Sequence, residues 1–250
     1  MLPFFCILKF LKMKAAIIGY GRMGHEIESI LMEKSHEVVA RIDMNNQHDW
    51  KLLSNENCDV AIEFTQPETA VSNFYKCFEK GIPVVSGTTA WLGQWDQVIE
   101  KCKKEKTAFL YASNFSLGVN IFFEINKKLG SLMQGHSQYK LILNEIHHTK
   151  KLDAPSGTAI SIANGIIESN ADYDNWTLDN DEQGKVPIYA KRTGHVPGTH
   201  YVTYDSPVDQ ILIRHEAKSR EGFAQGAVLA AEFLVGKKGV FSMQDLLGLK

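Results

Sequence analysis

Apolar and polar residues alternate in two different rhythms along this chain. From Met13 onward, short apolar runs are separated by stretches in which apolar residues recur at helical spacing, as Ile27, Ile30 and Leu31 do after a glycine turn. Short buried strands alternating with amphipathic helices indicate a parallel sheet wrapped by helices. Residues 13–119 are therefore predicted to form a Rossmann-like doubly wound parallel sheet domain. Its strands are expected at residues 15–19, 37–42, 59–64, 83–86 and 108–112, with helices at 69–80 and 94–104.

A different pattern begins near Val119. Residues 120–219 are richer in β-type segments, which predicts an α+β domain with a mainly antiparallel or mixed sheet. Its helices are expected at 121–132 and 158–170, and its strands at 139–146, 188–192, 201–204 and 211–216. The acidic, polar stretch 170–181 is expected to be a surface loop. The C-terminal segment 220–250 has a helical pattern and is expected to pack back on the first domain.

The first twelve residues are apolar and precede a second methionine, Met13. They lack a positively charged start and a small-residue cleavage site, and Lys9 interrupts the run, so a signal peptide is a poor interpretation. The run is also shorter than the roughly 18 to 20 apolar residues that span a bilayer. Residues 1–12 are therefore expected to be an extension outside the working fold.

Charge and cysteine content exclude several classes of partner. The chain has 27 lysines and arginines against 29 acidic residues, so no bulk positive field exists to hold nucleic acid or an anionic membrane. Cys6, Cys58, Cys77 and Cys102 are scattered, and none has the spacing of a metal site. We expect free thiols, no metal and a cytoplasmic location.

The segment Gly19-Tyr20-Gly21-Arg22-Met23-Gly24 is a complete GxGxxG between a predicted strand and a predicted helix. The glycines permit a tight turn and let a pyrophosphate approach the helix N-terminus. The next predicted strand is followed by Asp43, placed to accept hydrogen bonds from ribose hydroxyls. A lone GxGxxG is a weak signal, and the alternative is that these glycines only turn the chain.

Asp43 also favours one nucleotide over the other. A 2′-phosphate about 4 Å from this carboxylate would be repelled by roughly 4 kcal/mol at an effective dielectric of about 20. NADH is therefore the expected cofactor, with NADPH possible, because Arg22 and Arg41 are close enough in sequence to soften the repulsion.

The most unusual segment is residues 145–159, EIHHTKKLDAPSGTA. Ser156 is a natural N-cap for the helix that follows, so the N–H groups of Gly157 and Thr158 would face an anion at the positive end of the helix dipole. Taken singly, the histidines and lysines could be solvated side chains and Ser156 only a cap. Together, in a chain with a dinucleotide fingerprint, they indicate a substrate that accepts a hydride and carries carboxylates.

This segment resembles the HHxxKxDAPSGTA signature of the dihydrodipicolinate reductases (4-hydroxy-tetrahydrodipicolinate reductases). Further matches follow the chain order: residues 19–24 resemble the family's glycine loop, 63–68 its DFTxP segment, 87–89 its GTTG segment and 113–120 its NFSxGVN segment. The similarity runs from Met13 to the C-terminus. Glu63 stands where aspartate is usual, and Ala90 replaces the last glycine of GTTG.

The resemblance implies an oxidoreductase that reduces a small cyclic dicarboxylate, 4-hydroxy-tetrahydrodipicolinate, with NAD(P)H on the route to diaminopimelate and lysine. It also implies a homotetramer built through the second domain, which binds the substrate. His147 and Lys151 would serve proton transfer. The substrate carboxylates would be held by His148, Lys151, Ser156, Gly157 and Thr158. The cofactor would be held by Gly19, Gly21, Arg22, Met23, Gly24, Asp43, Gly87, Thr89, Ser113, Asn114 and Phe115.

Two alternatives remain open from the sequence. Semialdehyde, homoserine and diaminopimelate dehydrogenases share the two-domain Rossmann plan, but a semialdehyde dehydrogenase needs a reactive cysteine. Cys58, Cys77 and Cys102 lie in or beside predicted elements of the nucleotide domain, which makes that class a poor fit. A cofactor-binding redox sensor without turnover would have no use for paired histidines, a lysine and a carboxylate site together.

Overall fold

The computed structural model describes residues 12–219 and 221–249. Most of the predicted N-terminal extension lies outside these residues. The described strands are β1 (Lys14–Ile18), β2 (Glu37–Ile42), β3 (Val60–Glu63), β4 (Val84–Ser86), β5 (Ala108–Tyr111), β6 (Lys140–His147), β7 (Asn175–Leu178), β8 (Lys185–Arg192), β9 (Gly198–Asp205), β10 (Gln210–Ala217) and β11 (Gly239–Phe241). The α-helices are α1 (Arg22–Glu33), α2 (Pro67–Glu79), α3 (Trp95–Lys104), α4 (Leu117–Met133), α5 (Gly157–Ser169), α6 (Glu221–Leu234) and α7 (Met243–Leu247).

The described residues divide into two compact units. One holds those up to Phe115 together with those from Ala224 onward, and the other holds those between Ser116 and Phe223. Among the described residues, no helix is both long and apolar enough to cross a membrane.

The first unit is built on a six-stranded sheet in the order β11-β5-β4-β3-β1-β2, and every strand pair in it is parallel. The strand order reverses at β1, which lies between β2 and β3, so this is the topological switch point where doubly wound sheets bind ligands. Separate apolar clusters cover the two faces of the sheet. Ala227, Val228 and Ala231 of α6 lie in the cluster that contains Ile17 of β1.

The second unit has a mixed five-stranded sheet in the order β10-β9-β6-β8-β7. β6 runs antiparallel to β9 and parallel to β8. Alternate residues of β6 are buried, and Leu141 and Leu143 share an apolar cluster with Ile162 and Ile166 of α5. Because side chains alternate across a strand, the same buried register continues to positions 145 and 147, where it carries polar groups.

Two parts of the secondary structure differ from the prediction. The stretch 170–181, predicted as a loop, contains β7, which pairs in parallel with the longer β8. The C-terminal segment, predicted as helical, contains the edge strand β11 between α6 and α7. Both missed strands are too short for an alternating pattern to reveal them, since their identity depends on a neighbouring strand.

Candidate active site

The segment with paired histidines joins β6 to α5. His147 is the last residue of β6 and is buried, with 7% of its surface exposed. Ser156 is the N-cap of α5, and its hydroxyl accepts a hydrogen bond from the N–H of Ala159. The predicted capping role of Ser156 and the helix that follows it are therefore present in the structure.

A buried carboxylate lies at the centre of this region. Glu145 is fully buried on β6, and its Oε1 accepts hydrogen bonds from the N–H of Ser156 at 3.1 Å and from Nη2 of Arg192 at 2.9 Å. Its Oε2 lies 3.2 Å from Nδ1 of His147 and 3.7 Å from Nε2 of His200. One carboxylate thus contacts side chains or backbone from β6, β8, β9 and the start of α5.

The electrostatics of this cluster follow from burial and pairing. Burial acts to raise the pKa of Glu145, but His147, His200, Ser156 and Arg192 together outweigh it and hold that pKa well below its usual value. Burial lowers the pKa of His200, although Glu145 opposes the shift. Glu145 is therefore an anion at neutral pH, with the guanidinium of Arg192 as its nearest permanent cation.

Two members of this cluster, Arg192 and His200, were not predicted from the sequence. The register of the sheet brings them in: His147 pairs with Arg192 of β8, and Glu145 pairs with His200 of β9. No local motif marks either residue. Glu145 lies inside the unusual segment, and its position two residues before His147 is the only sequence signal that it shares the face of that histidine.

The three acid and imidazole groups also bring ligand-type atoms within 4.8 Å of one another, a spacing compatible with a metal ion. The same carboxylate already accepts two hydrogen bonds, one of them from the cationic guanidinium of Arg192. Since a second full cation beside that guanidinium would be repelled, we assign no metal here, and its absence stays a prediction.

The two lysines of the segment differ in their surroundings. Nζ of Lys151 lies 2.8 Å from Oδ1 of Asp153, and its side chain is 22% exposed. Lys150 is exposed. The loop is tied to the sheet by Arg192, whose Nη2 donates to the backbone oxygen of Asp153 at 2.5 Å.

The predicted carboxylate site lies at the start of α5. Gly157 is exposed, and nothing occupies the space within 4 Å of where its side chain would be. Thr158 and His148 are half-buried. Ser156 is 2% exposed, its N–H is donated to Glu145, and its hydroxyl also lies 3.1 Å from Nε2 of His200. Ser156 is thus engaged with the protein, whereas Gly157 faces open space.

The predicted pyrophosphate site is the glycine loop of the first unit. Gly19 has φ of +92°, and a side chain there would meet the backbone oxygen of Phe64 at 2.0 Å. A side chain at Gly24 would meet the oxygen of Gly19 at 2.5 Å, whereas Gly21, which precedes α1, has open space around it. Two glycines therefore permit close packing and the third leaves room for a ligand, as the dinucleotide fingerprint requires. Arg22 and Met23 form the first turn of α1.

Asp43 directly follows β2, and the N–H of Gly19 donates to the oxygen of Ile42 at 2.8 Å, so the acid adjoins the glycine loop. The Asp43 side chain is exposed and accepts from the N–H of Met44 at 2.7 Å. Nε of Arg41 donates to Glu28 at 2.7 Å, and this guanidinium holds the pKa of the Glu28 carboxyl below its usual value. The charge of Arg41 is therefore already matched by a carboxylate.

The remaining predicted cofactor residues follow β4 and β5, at the same carboxyl edge of the parallel sheet. A side chain at Gly87 would overlap the ring of Phe64, and Thr89 is exposed. Ser113 is exposed, Asn114 is half-buried and Phe115 is buried. The departure at Ala90 has a structural consequence, because this alanine adopts φ of +63°, a conformation that favours glycine.

The other departure, Glu63, is fully buried at the end of β3. Its Oε2 accepts from the hydroxyl of Ser86 at 2.7 Å, and its other oxygen accepts from the hydroxyl of Thr65. Burial raises the pKa of this carboxyl. The longer acid is thus accommodated by hydroxyl donors beside the Gly87 loop.

Family models decide the relationship of the chain to known proteins. Residues 13–115 match the model described as dihydrodipicolinate reductase, N-terminus, and residues 118–247 match the model described as dihydrodipicolinate reductase, C-terminus. The chain belongs to the dihydrodipicolinate reductase family. The family predicted from the histidine-lysine signature is therefore confirmed, as is the predicted fold class.

Individual relatives agree with the family models. A 4-hydroxy-tetrahydrodipicolinate reductase of Christiangramia forsetii is 52% identical over 94% of this chain and 98% of its own length. A reductase of the same name from Caldanaerobacter subterraneus is 34% identical over 91% of this chain and 94% of its own length. A solved structure of a dihydrodipicolinate reductase from Paenisporosarcina sp. TG-14, with dipicolinate bound, has a TM-score of 0.75 and 22% identity, and the match covers 94% of this chain and 99% of that one.

Proposed function

We propose that this chain reduces 4-hydroxy-tetrahydrodipicolinate, a small cyclic dicarboxylate, to tetrahydrodipicolinate with NAD(P)H, in diaminopimelate and lysine biosynthesis. One observation carries the proposal: the end of β6 holds His147 against a buried carboxylate, next to the open start of α5 at Gly157. The other unit of the same chain contains a dinucleotide loop whose glycines fit a pyrophosphate. Membership of the reductase family supports the same reaction.

The reaction requires one hydride and one proton. Loss of water from the hydroxylated ring leaves a conjugated imine, hydride adds to the far carbon of the conjugated system, and the displaced electron pair is taken up by a proton. A bound reduced nicotinamide nucleotide supplies the hydride. The sum is substrate, NAD(P)H and a proton giving tetrahydrodipicolinate, NAD(P)⁺ and water.

In this proposal the second unit supplies the proton and neutralises the carboxylates. His147 and Lys151 donate and relay the proton, and Lys151 with His148 attracts the anionic ring. The N–H groups at Gly157 and Thr158 bind a carboxylate at the positive end of α5. Ser156, whose polar groups are engaged by Glu145, His200 and Ala159, acts by holding this helix start in place.

The first unit binds the cofactor in this proposal. Gly19, Gly21 and Gly24 with Arg22 and Met23 surround the pyrophosphate, and Asp43 accepts from the ribose hydroxyls. Residues that follow β4 and β5 adjoin the nicotinamide: Gly87, Thr89, Ser113, Asn114 and Phe115. We propose NADH as the preferred nucleotide, because Asp43 repels a 2′-phosphate and the cation of Arg41 is paired with Glu28.

We further propose a cytoplasmic homotetramer assembled through the sheet of the second unit. Ile211 and Leu212 of β10 are exposed apolar side chains on an edge strand of that sheet. Cys58, Cys77 and Cys102 are free and buried, and burial raises the pKa of Cys58 to about 11, which suits unreactive thiols in a reducing compartment. Light scattering after gel filtration measures the assembly, and a monomeric mass would contradict it.

A coupled assay tests the proposed reaction. The purified chain is mixed with NADH and with the product of a dihydrodipicolinate synthase, and NADH absorbance is followed. We expect NADH oxidation that depends on the synthase and on this chain. Binding of NADH without turnover would indicate a redox sensor, and oxidation or reduction of homoserine or aspartate semialdehyde alone would indicate one of the related dehydrogenases.

A further inference from the structure

We propose that Glu145 is a positioning residue for proton transfer, which fixes the ring of His147 so that Nδ1 faces the carboxylate and Nε2 is left for the transfer. This inference rests on the proposed function, since it assigns the proton to His147. It goes beyond that function because it gives a role to Glu145, Arg192 and His200, three residues that the proposed reaction does not use.

The two oxygens of Glu145 have separate partners. Oε1 is held by the N–H of Ser156 and by Nη2 of Arg192, at 3.1 and 2.9 Å. Oε2 faces the histidines and lies 3.2 Å from Nδ1 of His147. The carboxylate is therefore anchored on one side by the helix start and a guanidinium, and it offers its other side to the ring.

This arrangement determines which ring nitrogen of His147 faces the carboxylate. Because Nδ1 lies 3.2 Å from the carboxylate, Nε2 is the ring nitrogen left for proton transfer. Nε2 in turn lies 3.0 Å from where a side chain at Gly198 would begin. The ring is thus confined between a carboxylate on β6 and a glycine on β9, and its position is set before substrate binds.

Charged and titratable groups surround the ring from several elements. Arg192 on β8 and His200 on β9 contact the same carboxylate, and Lys151 lies in the following loop. Burial lowers the pKa of His200, which disfavours an imidazolium at that position. Removing the charge of Glu145 would leave Arg192 as an unmatched cation close to the ring of His147.

The chain contains a matched control pair outside both proposed sites. In the first unit, Oε1 of Glu232 lies 2.9 Å from Nε2 of His36, and Nδ1 of His36 accepts from the N–H of Met13 at 3.2 Å. This is also a carboxylate and a buried histidine, with Lys34 as the neighbouring cation. Glu232→Gln therefore removes the same chemistry without touching the segment 145–159.

The test compares Glu145→Gln, Glu145→Asp and Glu232→Gln with the wild type in the coupled assay. For Glu145→Gln we expect kcat lower by roughly 10- to 100-fold with the KM for the substrate nearly unchanged. NADH affinity should not change. Glu145→Asp, which keeps a carboxylate, should have an intermediate kcat, and Glu232→Gln should match the wild type throughout.

A wild-type kcat in Glu145→Gln would overturn the proposal, and so would an equal loss of kcat in Glu232→Gln. If Glu145→Gln fails to fold, Gly198→Ala provides the second test, because its methyl group would lie 3.0 Å from Nε2 of His147 and press on the ring while every charge stays in place. We expect a lower kcat, and full kcat there would contradict the positioning role.

A measurement that does not need turnover separates this proposal from the proposed function. In protein labelled with ¹⁵N-histidine, the ring nitrogen signals of His147 are recorded by NMR and assigned with His147→Gln. A carboxylate beside Nδ1 favours the tautomer with the proton on Nδ1, so Glu145→Gln should change the ¹⁵N shifts that report the tautomer, whatever the substrate of the enzyme. Unchanged ring signals would refute the positioning role, whereas an absence of NADH oxidation by the wild type would refute only the proposed reaction.

Discussion

Nζ of Lys151 lies 2.8 Å from Oδ1 of Asp153 on the loop that joins β6 to α5. Arg192, which donates a hydrogen bond to Glu145, also donates to the backbone oxygen of Asp153. Lys151 is therefore held close to the His147 cluster by its own loop, whereas the neighbouring Lys150 extends into solvent.

This difference predicts unequal effects of removing the two lysines. Lys151→Ala should lower kcat by about 10² to 10⁴, the usual contribution of a general acid, and should raise KM because it also binds a carboxylate. His147→Ala should lower kcat by the same order. Lys150→Ala is the control and should resemble the wild type, with NADH affinity unchanged in all three. Steady-state kinetics beside NADH titrations decide the matter, and equal damage from Lys150→Ala would remove the assignment.

Cofactor preference should depend on three charged residues of the first unit. Asp43 repels a 2′-phosphate, and Glu28 pairs with Arg41, the nearby cation. We expect a higher kcat/KM with NADH than with NADPH, a narrower gap in Asp43→Ala, and better use of NADPH in Glu28→Gln, where Arg41 is released. A wild-type preference of about tenfold or more for NADPH, worth roughly 1.4 kcal/mol, would contradict this account.

The start of α5 should discriminate between dicarboxylates and monocarboxylates. Pyridine-2,6-dicarboxylate should compete with substrate, and pyridine-2-carboxylate should bind more weakly by roughly 10- to 100-fold, because one charge-assisted hydrogen bond contributes about 1.5 to 3 kcal/mol. Ser156→Ala should weaken the dicarboxylate and reduce stability by about 1 kcal/mol through loss of the N-cap. Inhibition constants measured at fixed NADH provide the check, and equal constants for both compounds would mean a single anion site.

Backbone strain at Ala90 predicts a stabilising substitution. With φ of +63°, Ala90→Gly should relieve roughly 1 to 2 kcal/mol of strain and lose about 0.4 to 1 kcal/mol to the greater freedom of the unfolded chain. The net gain lies between about 0 and 1.6 kcal/mol, and its midpoint of about 0.8 kcal/mol should raise Tm by about 2 to 3 °C. Ala171→Gly, at an exposed alanine without positive φ, should lower Tm instead. Calorimetry of both variants tests this, and a lower Tm for Ala90→Gly would show that the loop is not strained there.

Contiguous motifs explain why much of the molecule could be predicted. Three features lie within a few residues of a strand end: the glycine loop, Asp43 and the segment 145–159. Periodicity and spacing are therefore sufficient to place them on the correct elements. His200 and Arg192 are distant in sequence from Glu145 and reach it only through the register of β6 with β9 and β8. No local pattern specifies that register.

Side-chain pairing could not be predicted from the sequence either. Arg41 was expected to soften the repulsion at Asp43, but whether it does depends on the direction of its side chain, and Glu28 of α1 pairs with it. Similarly, Ser156 has the sequence of a ligand-binding cap, yet its N–H and hydroxyl are used by Glu145, His200 and Ala159. Such outcomes depend on packing between elements, which residue type alone does not determine.

The fate of the hydride tests the proposed reaction most directly. The enzyme is given NADH deuterated at one face of the nicotinamide C4, the synthase product is supplied, and the reduced ring is analysed by mass spectrometry. If the hydride passes directly to the ring, one of the two deuterated diastereomers yields a product heavier by one mass unit and the other yields an unlabelled product. Consumption of NADH without label in the ring from either diastereomer would contradict it.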